Sequence, residues 1–123
     1  MNPILIIEDN EKNLKLVRDV LRFKGYGTVE AMTAAEGLRL AREALPVLIL
    51  MDIQLPDFDG ITALTKLRED PATRAIPVLA VSASAMPEDR AKIVASGFDD
   101  YITKPIVDET ILSASIKRLL RKH

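Results

Sequence analysis

Five short stretches of this chain are apolar at nearly every position. Each is followed by a segment whose apolar residues recur every three or four places. The stretches are Ile4-Leu5-Ile6-Ile7, a weaker one from Tyr26 to Ala31, Val47-Leu48-Ile49-Leu50-Met51, Pro77 to Val81, and Tyr101 to Thr103. Runs without polar alternation suit parallel strands covered on both faces. The segments between them predict amphipathic helices with their own start and stop signals. Asn10 can cap the first, which turns Leu14, Val17 and Leu21 to one side and stops at Gly25. Thr33-Ala34-Ala35-Glu36 has the capping-box pattern, and its helix must end before Pro46. Asp59 can cap a third helix with Ile61, Leu64 and Leu67 inward, ending near Pro71. Pro87-Glu88-Asp89 opens a fourth, with proline in the first turn and acids where the helix dipole favours them, and Gly97 ends it. Asp108 starts the last, with Ile111, Leu112, Ile116 and Leu119 inward. Five alternations of this kind predict an α/β fold of (βα)₅ type. The expected architecture is an open, doubly wound, five-stranded parallel sheet with helices on both faces and right-handed crossovers. Closure into a barrel would need eight such units.

Composition narrows the chemistry. At 123 residues, with no repeat, low-complexity tract or linker, the chain is expected to form one domain over residues 1–123. Hydrophobic residues make up 48% while aromatics are only 4%, so the core must be aliphatic. Cysteine is absent, which excludes disulfides, thiolate metal sites and cysteine nucleophiles. The one histidine is His123, so triads and histidine metal sites are excluded too. Seventeen basic residues against 18 acidic ones leave a net charge of −1, which favours neither nucleic acid nor an anionic membrane. The basic cluster Lys117, Arg118, Arg121 and Lys122 suits the C-terminal turn of a helix. Ile4–Ile7 is far too short to span a bilayer and has no basic leader, so the expected location is the cytoplasm.

In an open α/β sheet, ligands bind outside the carboxyl ends of the strands. The residues that follow each apolar run are therefore the informative ones. After the first come Glu8, Asp9 and Asn10; after the third, Asp52; after the fourth, Ser82, Ala83 and Ser84; after the fifth, Lys104 and Pro105. Three carboxylates, a hydroxyl and an ammonium thus converge from four strands. Carboxylates so close must be relieved by protonation or by a cation. A hard divalent ion with oxygen ligands is the natural answer, and Mg²⁺ keeps open positions for phosphoryl oxygens. Asp52 can then attack phosphorus to give an aspartyl phosphate. Lys104 supplies a point charge and Ser82 a hydroxyl donor for the phosphoryl oxygens. Taken singly, Glu8 and Asp9 would pass for first-turn helix residues, Ser82 for a turn former and Lys104 for a surface lysine.

The matching pieces are Ile6-Ile7-Glu8-Asp9-Asn10, Met51-Asp52-Ile53-Gln54-Leu55-Pro56 with Gly60, Val81-Ser82-Ala83, and Lys104-Pro105. Together they resemble the receiver domain of two-component signalling, over the whole chain. The wording is similar to the stand-alone cell-cycle receivers of the DivK kind. The resemblance implies a flavodoxin-like sheet of order 2-1-3-4-5 and no output domain after the last helix. It implies that Glu8 and Asp9 hold Mg²⁺ (Mn²⁺ being an acceptable substitute), directly or through water. Asp52 would be both phosphoacceptor and metal ligand, and the Gln54 backbone carbonyl a further ligand. Lys104 and Ser82 would assist transfer. Ser82 and Tyr101 would form the switch, Tyr101 turning from exposed to buried. The Lys104–Pro105 peptide would be cis. Ser82 stands where threonine is commoner, and Gln54 and Ser84 stand where the access of hydrolytic water is tuned. The implied partners are a sensor histidine kinase or a histidine phosphotransfer protein as donor and a downstream protein effector. That effector would bind the face from Pro87 to Leu120, the receiver being a monomer or weak dimer.

Other functions fit less well. A haloacid-dehalogenase-type phosphatase also uses an aspartyl phosphate, but it needs a second acid two residues past the nucleophile, where Gln54 stands. A flavodoxin or nucleotide-binding module needs a phosphate loop after the first strand, and Glu8-Asp9-Asn10-Glu11 is its electrostatic opposite. A degenerate receiver that binds partners without phosphorylation would not need so complete a site.

Overall fold

A computed structural model describes residues 2–83, 86–104 and 109–122, with the backbone alone for Lys122. Ser84, Pro105, Asp108 and His123 lie outside the described residues, and with Pro105 so does the expected cis peptide. The elements alternate as β1 (Ile4–Ile7), α1 (Glu11–Phe23), β2 (Thr28–Ala31), α2 (Ala34–Ala44), β3 (Leu48–Asp52), α3 (Gly60–Glu69), β4 (Val78–Ser82), α4 (Pro87–Ala95), β5 (Asp100–Thr103) and α5 (Glu109–Lys122). All strand pairs are parallel and the sheet order is β2-β1-β3-β4-β5.

The apolar runs become the middle of the sheet. β1, β3 and β4 are buried at every residue. Because successive side chains point to opposite faces, each run feeds two cores. Leu5, Ile7, Ile49, Met51, Val78, Ala80 and Tyr101 pack with Ala34, Ala41, Ala63, Leu64, Leu67, Ile93 and Phe98 from α2, α3 and the α4 side. Ile4, Ile6, Leu48, Leu50, Leu79 and Ile102 pack with residues of α1 and α5, among them Leu14, Val17, Leu21, Leu112, Ile116 and Leu119. Each Leu, Ile, Val, Met or Phe among them contributes about 1.5–3 kcal/mol by leaving water. The sheet therefore needs no polar face.

Helix ends follow their signals, with some differences. Asn10 accepts hydrogen bonds from the amides of Lys12 and Asn13 and caps α1. Gly25, at φ +93°, closes α1: its amide reaches the Arg22 carbonyl and that of Tyr26 the Leu21 carbonyl. Tyr26 is thereby drawn into the helix cap, and β2 begins at Thr28, not at the expected Tyr26. Thr33 accepts from the Glu36 amide as expected, but Glu36 returns its bond to the amide of Met32, outside the regular box. On α3 the inward positions are Gly60, Ala63, Leu64 and Leu67, and Ile61 is only half-buried. Ile111, expected inward on α5, is instead 56% exposed. The buried stripe of α5 runs Leu112, Ser115, Ile116, Leu119, and Ile111 stands about 100° round the helix from Leu112.

The Asp59 carboxylate caps α3 by accepting the Thr62 amide at 2.8 Å. That bond, to the Thr62 amide and hydroxyl, holds the carboxyl below its ordinary range. A depressed folded-state value means that the cap's stabilisation is full above the unfolded pKa and is lost as pH falls through the folded one. Asp59→Ala is expected to cost about 1 kcal/mol at neutral pH. Urea melts of both proteins should converge as the pH is lowered below about 3.9; a constant gap would show that the cap does not work through its charge.

Candidate active site

The sheet order reverses between β1 and β3. The chain leaves β1 for β2 on one side and returns to β3 on the other, so the carboxyl ends of β1 and β3 flank a crevice. Ile7 pairs with Met51, which puts Glu8 beside Asp52. Asp52 is itself the last residue of β3, paired with Val81, and Ser82 is the last of β4, paired with Thr103. The sheet thus carries these side chains to its rim on hydrogen-bonded backbone.

Ligand atoms of Glu8, Asp9 and Asp52 lie within 4.8 Å of one another. Glu8 and Asp52 are buried, at 5% and 4% exposure, while Asp9 faces solvent. Lys104 Nζ reaches between the two buried acids, 2.7 Å from Asp52 Oδ2 and 3.0 Å from the Glu8 carboxylate. The Asp52 carboxylate is also held at Oδ1 by the Gln54 amide, 3.0 Å away, and Glu8 by the Asn10 amide at 3.2 Å. Lys104 is fixed in turn by its own backbone, whose amide donates to the Ser82 carbonyl at 2.7 Å.

Electrostatics follow from this crowding. Burial pushes the Glu8 carboxyl up; the hydrogen bond from Lys104 opposes the rise, and the charge of Asp52 adds to it. Burial works against the Lys104 ammonium, but hydrogen bonds to Asp52 and Glu8 outweigh it and hold the amine above its ordinary value. Three acids against one ammonium leave an excess of negative charge. Hard oxygen donors in that excess, one of them open to solvent, fit a small divalent cation such as Mg²⁺.

The family follows from comparison of the whole chain. The response regulator receiver domain family matches residues 4–116. The chain belongs to that family. DivK polar-differentiation response regulators of Brucella ovis and Brucella abortus are 48% identical to this receiver over 103 residues, which is 84% of each chain. A response regulator from Chloroflexus aurantiacus superposes with a TM-score of 0.91 at 28% identity, covering 98% of both chains. The receiver domain of sensor histidine kinase PA1611 from Pseudomonas aeruginosa, described with a magnesium ion coordinated in its active-site cleft, gives 0.88 at 30% identity over 97% of both. The receiver fold expected from the motifs, with its 2-1-3-4-5 sheet, is thus the fold observed.

Of the residues singled out in the sequence of this receiver, Glu8, Asp9, Asp52 and Lys104 meet at one point. Ser82 is buried on the neighbouring strand end and lines an adjoining depression with Ile53, Gln54, Ile61, Asp89, Lys92 and Ile93. Tyr101 lies deeper. An exposed starting position was expected, but the ring is only 8% exposed, packed in the core with Ile93 and Phe98 and covered by the Arg90 guanidinium 5.7 Å from its centroid. Sequence reasoning missed Asn13, which lines the interior side of the cluster, and Asp57, which binds α2 from the β3–α3 loop. The partners of Asp57 lie 22 and 23 positions back, so nothing near it in the chain announces that contact; Asn13 shares its cavity with Glu8, close in sequence, and with Asp52 and Lys104, which only the folded sheet brings there. Among the described residues no helix is long and apolar enough to cross a membrane.

Proposed function

We propose that this receiver accepts a phosphoryl group on Asp52 from the phosphohistidine of a sensor kinase or phosphotransfer protein. The observation that carries the reading is the meeting of Lys104 Nζ with Asp52 and Glu8 at 2.7 and 3.0 Å inside an acid cluster. An Asp52 carboxylate oxygen forms the bond to phosphorus, the phosphorus–nitrogen bond of the donor breaks, and the imidazole leaves with a proton. The Gln54 amide and Lys104 hold the carboxylate in one orientation, which lowers the cost of reaching an in-line geometry. Lys104 is also within reach of a transferred phosphoryl oxygen, and Ser82 can donate to another. Glu8, Asp9 and Asp52, with the Gln54 carbonyl, would hold Mg²⁺, which when bound neutralises the acids and the phosphoryl oxygens. The magnesium described in the Pseudomonas aeruginosa receiver supports that assignment.

In this reading the receiver acts in the bacterial cytoplasm, and its output is a change in affinity for a protein effector. The face of α4, β5 and α5 suits that role. α4 buries only Ile93, while Met86 before it, Val94 on it and Ile111 on α5 are exposed. Phosphorylation would shift the population toward whichever arrangement of this face binds the effector, with Ser82 and Tyr101 carrying the change. The test is incubation with Mg²⁺ and a small acyl phosphate, followed by intact mass measurement. One added phosphoryl group, labile to hydroxylamine, is expected. Continuous turnover of phosphomonoesters would argue for a phosphatase instead.

A further inference from the structure

The loop between β3 and α3 spans residues 53–59 and includes Gln54, whose carbonyl is the proposed fourth oxygen donor to the metal. One side chain of that loop grips a different helix. Asp57 Oδ1 accepts the Ala34 amide and Asp57 Oδ2 the Ala35 amide, each at 2.9 Å. These are the first two residues of α2, whose amides have no partner within the helix. Thr33 and Glu36 already serve the amides of Glu36 and Met32, so α2 is capped twice: once from its own chain and once from the loop.

α2 is in turn seated on the strand that leads into Glu8 and Asp9. A Cβ at Gly37 would run into Ile7 Cδ1 and stand 2.8 Å from Ile7 Cγ1, so the helix backbone lies directly on Ile7, the residue before Glu8. The Glu8 amide donates to the Ala31 carbonyl, at the end of the strand that leads into α2. A continuous set of close contacts therefore joins the end of β1, where Glu8 and Asp9 follow, through α2 to the loop that follows Asp52.

We infer that Asp57 is a positioning residue for the metal site, its carboxylate clamping the β3–α3 loop to the amino end of α2 so that the Gln54 backbone is held at a fixed distance from Glu8, Asp9 and Asp52. The physical reason is the narrow tolerance of Mg²⁺, which demands near-octahedral oxygen at short distance. A carbonyl on a free loop would lose conformational entropy on every binding event, whereas one on a clamped loop has lost it already. The inference rests on the metal role proposed above.

The test is calorimetric titration with MgCl₂ of the wild-type protein, Asp57→Ala, Asp57→Glu and Thr33→Ala. Asp57→Ala is expected to weaken Mg²⁺ binding about fivefold or more, toward the range seen when groups that orient ligands are removed. Its phosphorylation by a small acyl phosphate should reach the wild-type rate at saturating Mg²⁺. Asp57→Glu keeps two acceptor oxygens and should recover most of the affinity. Thr33→Ala removes the other cap of the same helix without freeing the loop, so its Mg²⁺ affinity should match the wild type. Amide exchange in Mg²⁺-free protein should quicken at Ala34 and Ala35 in Asp57→Ala. Should that variant fail to fold, Asp57→Asn keeps one acceptor oxygen and should show an intermediate loss. Wild-type affinity in Asp57→Ala or Asp57→Asn would overturn the clamp alone, as would an equal loss in Thr33→Ala. A wild-type protein that takes up no Mg²⁺ would overturn the proposed function together with the clamp.

Discussion

Asp52→Asn is expected to abolish phosphoryl uptake while leaving the fold in place. The carboxamide has nearly the same shape as the carboxylate, and Asp52 is the last residue of a strand whose backbone bonds to β4 do not involve the side chain. What disappears is the nucleophile, since a neutral amide oxygen is too weak a nucleophile to form the acyl phosphate that the carboxylate gives. Lys104 loses its 2.7 Å partner but keeps Glu8 at 3.0 Å, so no buried ammonium is left alone. The charge of Asp52 raises the Glu8 carboxyl, and in the variant Glu8 should titrate lower than in the wild type. Intact mass after exposure to a phosphodonor, and carbon-detected titration of Glu8, measure the two effects. Phosphorylation persisting in Asp52→Asn would place the acceptor elsewhere and remove the basis of the proposed function.

Gly60→Ala is expected to be the most damaging single-methyl change near the site. Gly60 is the first residue of α3, and its amide donates to the Ile53 carbonyl at 2.7 Å. A Cβ there would stand 2.9 Å from the Asp52 carbonyl oxygen and 2.9 Å from Ile53 Cα. Both are backbone atoms at the end of β3 and cannot rotate away as a side-chain tip could. Helix propensity alone would favour alanine by about 1 kcal/mol. Overpacking costs typically about 1–3 kcal/mol, and a backbone obstacle belongs at the upper end. A net loss of about 2 kcal/mol is expected, lowering the melting temperature by roughly 8 °C in a domain of this size. The same shift would displace the Asp52 carboxylate from Lys104, so phosphorylation should slow even where the protein remains folded. A variant as stable and as active as the wild type would show that the turn after β3 can relax.

Much of the fold could be read along the chain because its determinants are local. Ile4–Ile7 and Val47–Met51 are apolar at every position, which only a strand covered on both faces needs, and the caps at Asn10, Thr33 and Asp59 act within four residues of themselves. β2 was less legible, since Tyr26 belongs to the cap that Gly25 makes and an edge strand needs fewer apolar residues. Ile111 was misread because an apolar residue at a helix start fits either side of the stripe until neighbouring strands fix the helix rotation.

The candidate site divides in the same way. The sequence by itself determined which groups stand at the strand ends: Glu8, Asp9, Asp52, Ser82 and Lys104 each follow or finish an apolar run, and a parallel sheet carries all such positions to one rim. Only the tertiary structure decided how they meet. The 2.7 Å approach of Lys104 to Asp52 crosses 52 positions of chain, Asp57 reaches back 22 and 23 positions to α2, and Tyr101 is buried because Ile93, Phe98 and Arg90 close over it. Contacts across such separations are set by strand order and helix packing, and those are properties of the whole core with no trace in the residues on either side.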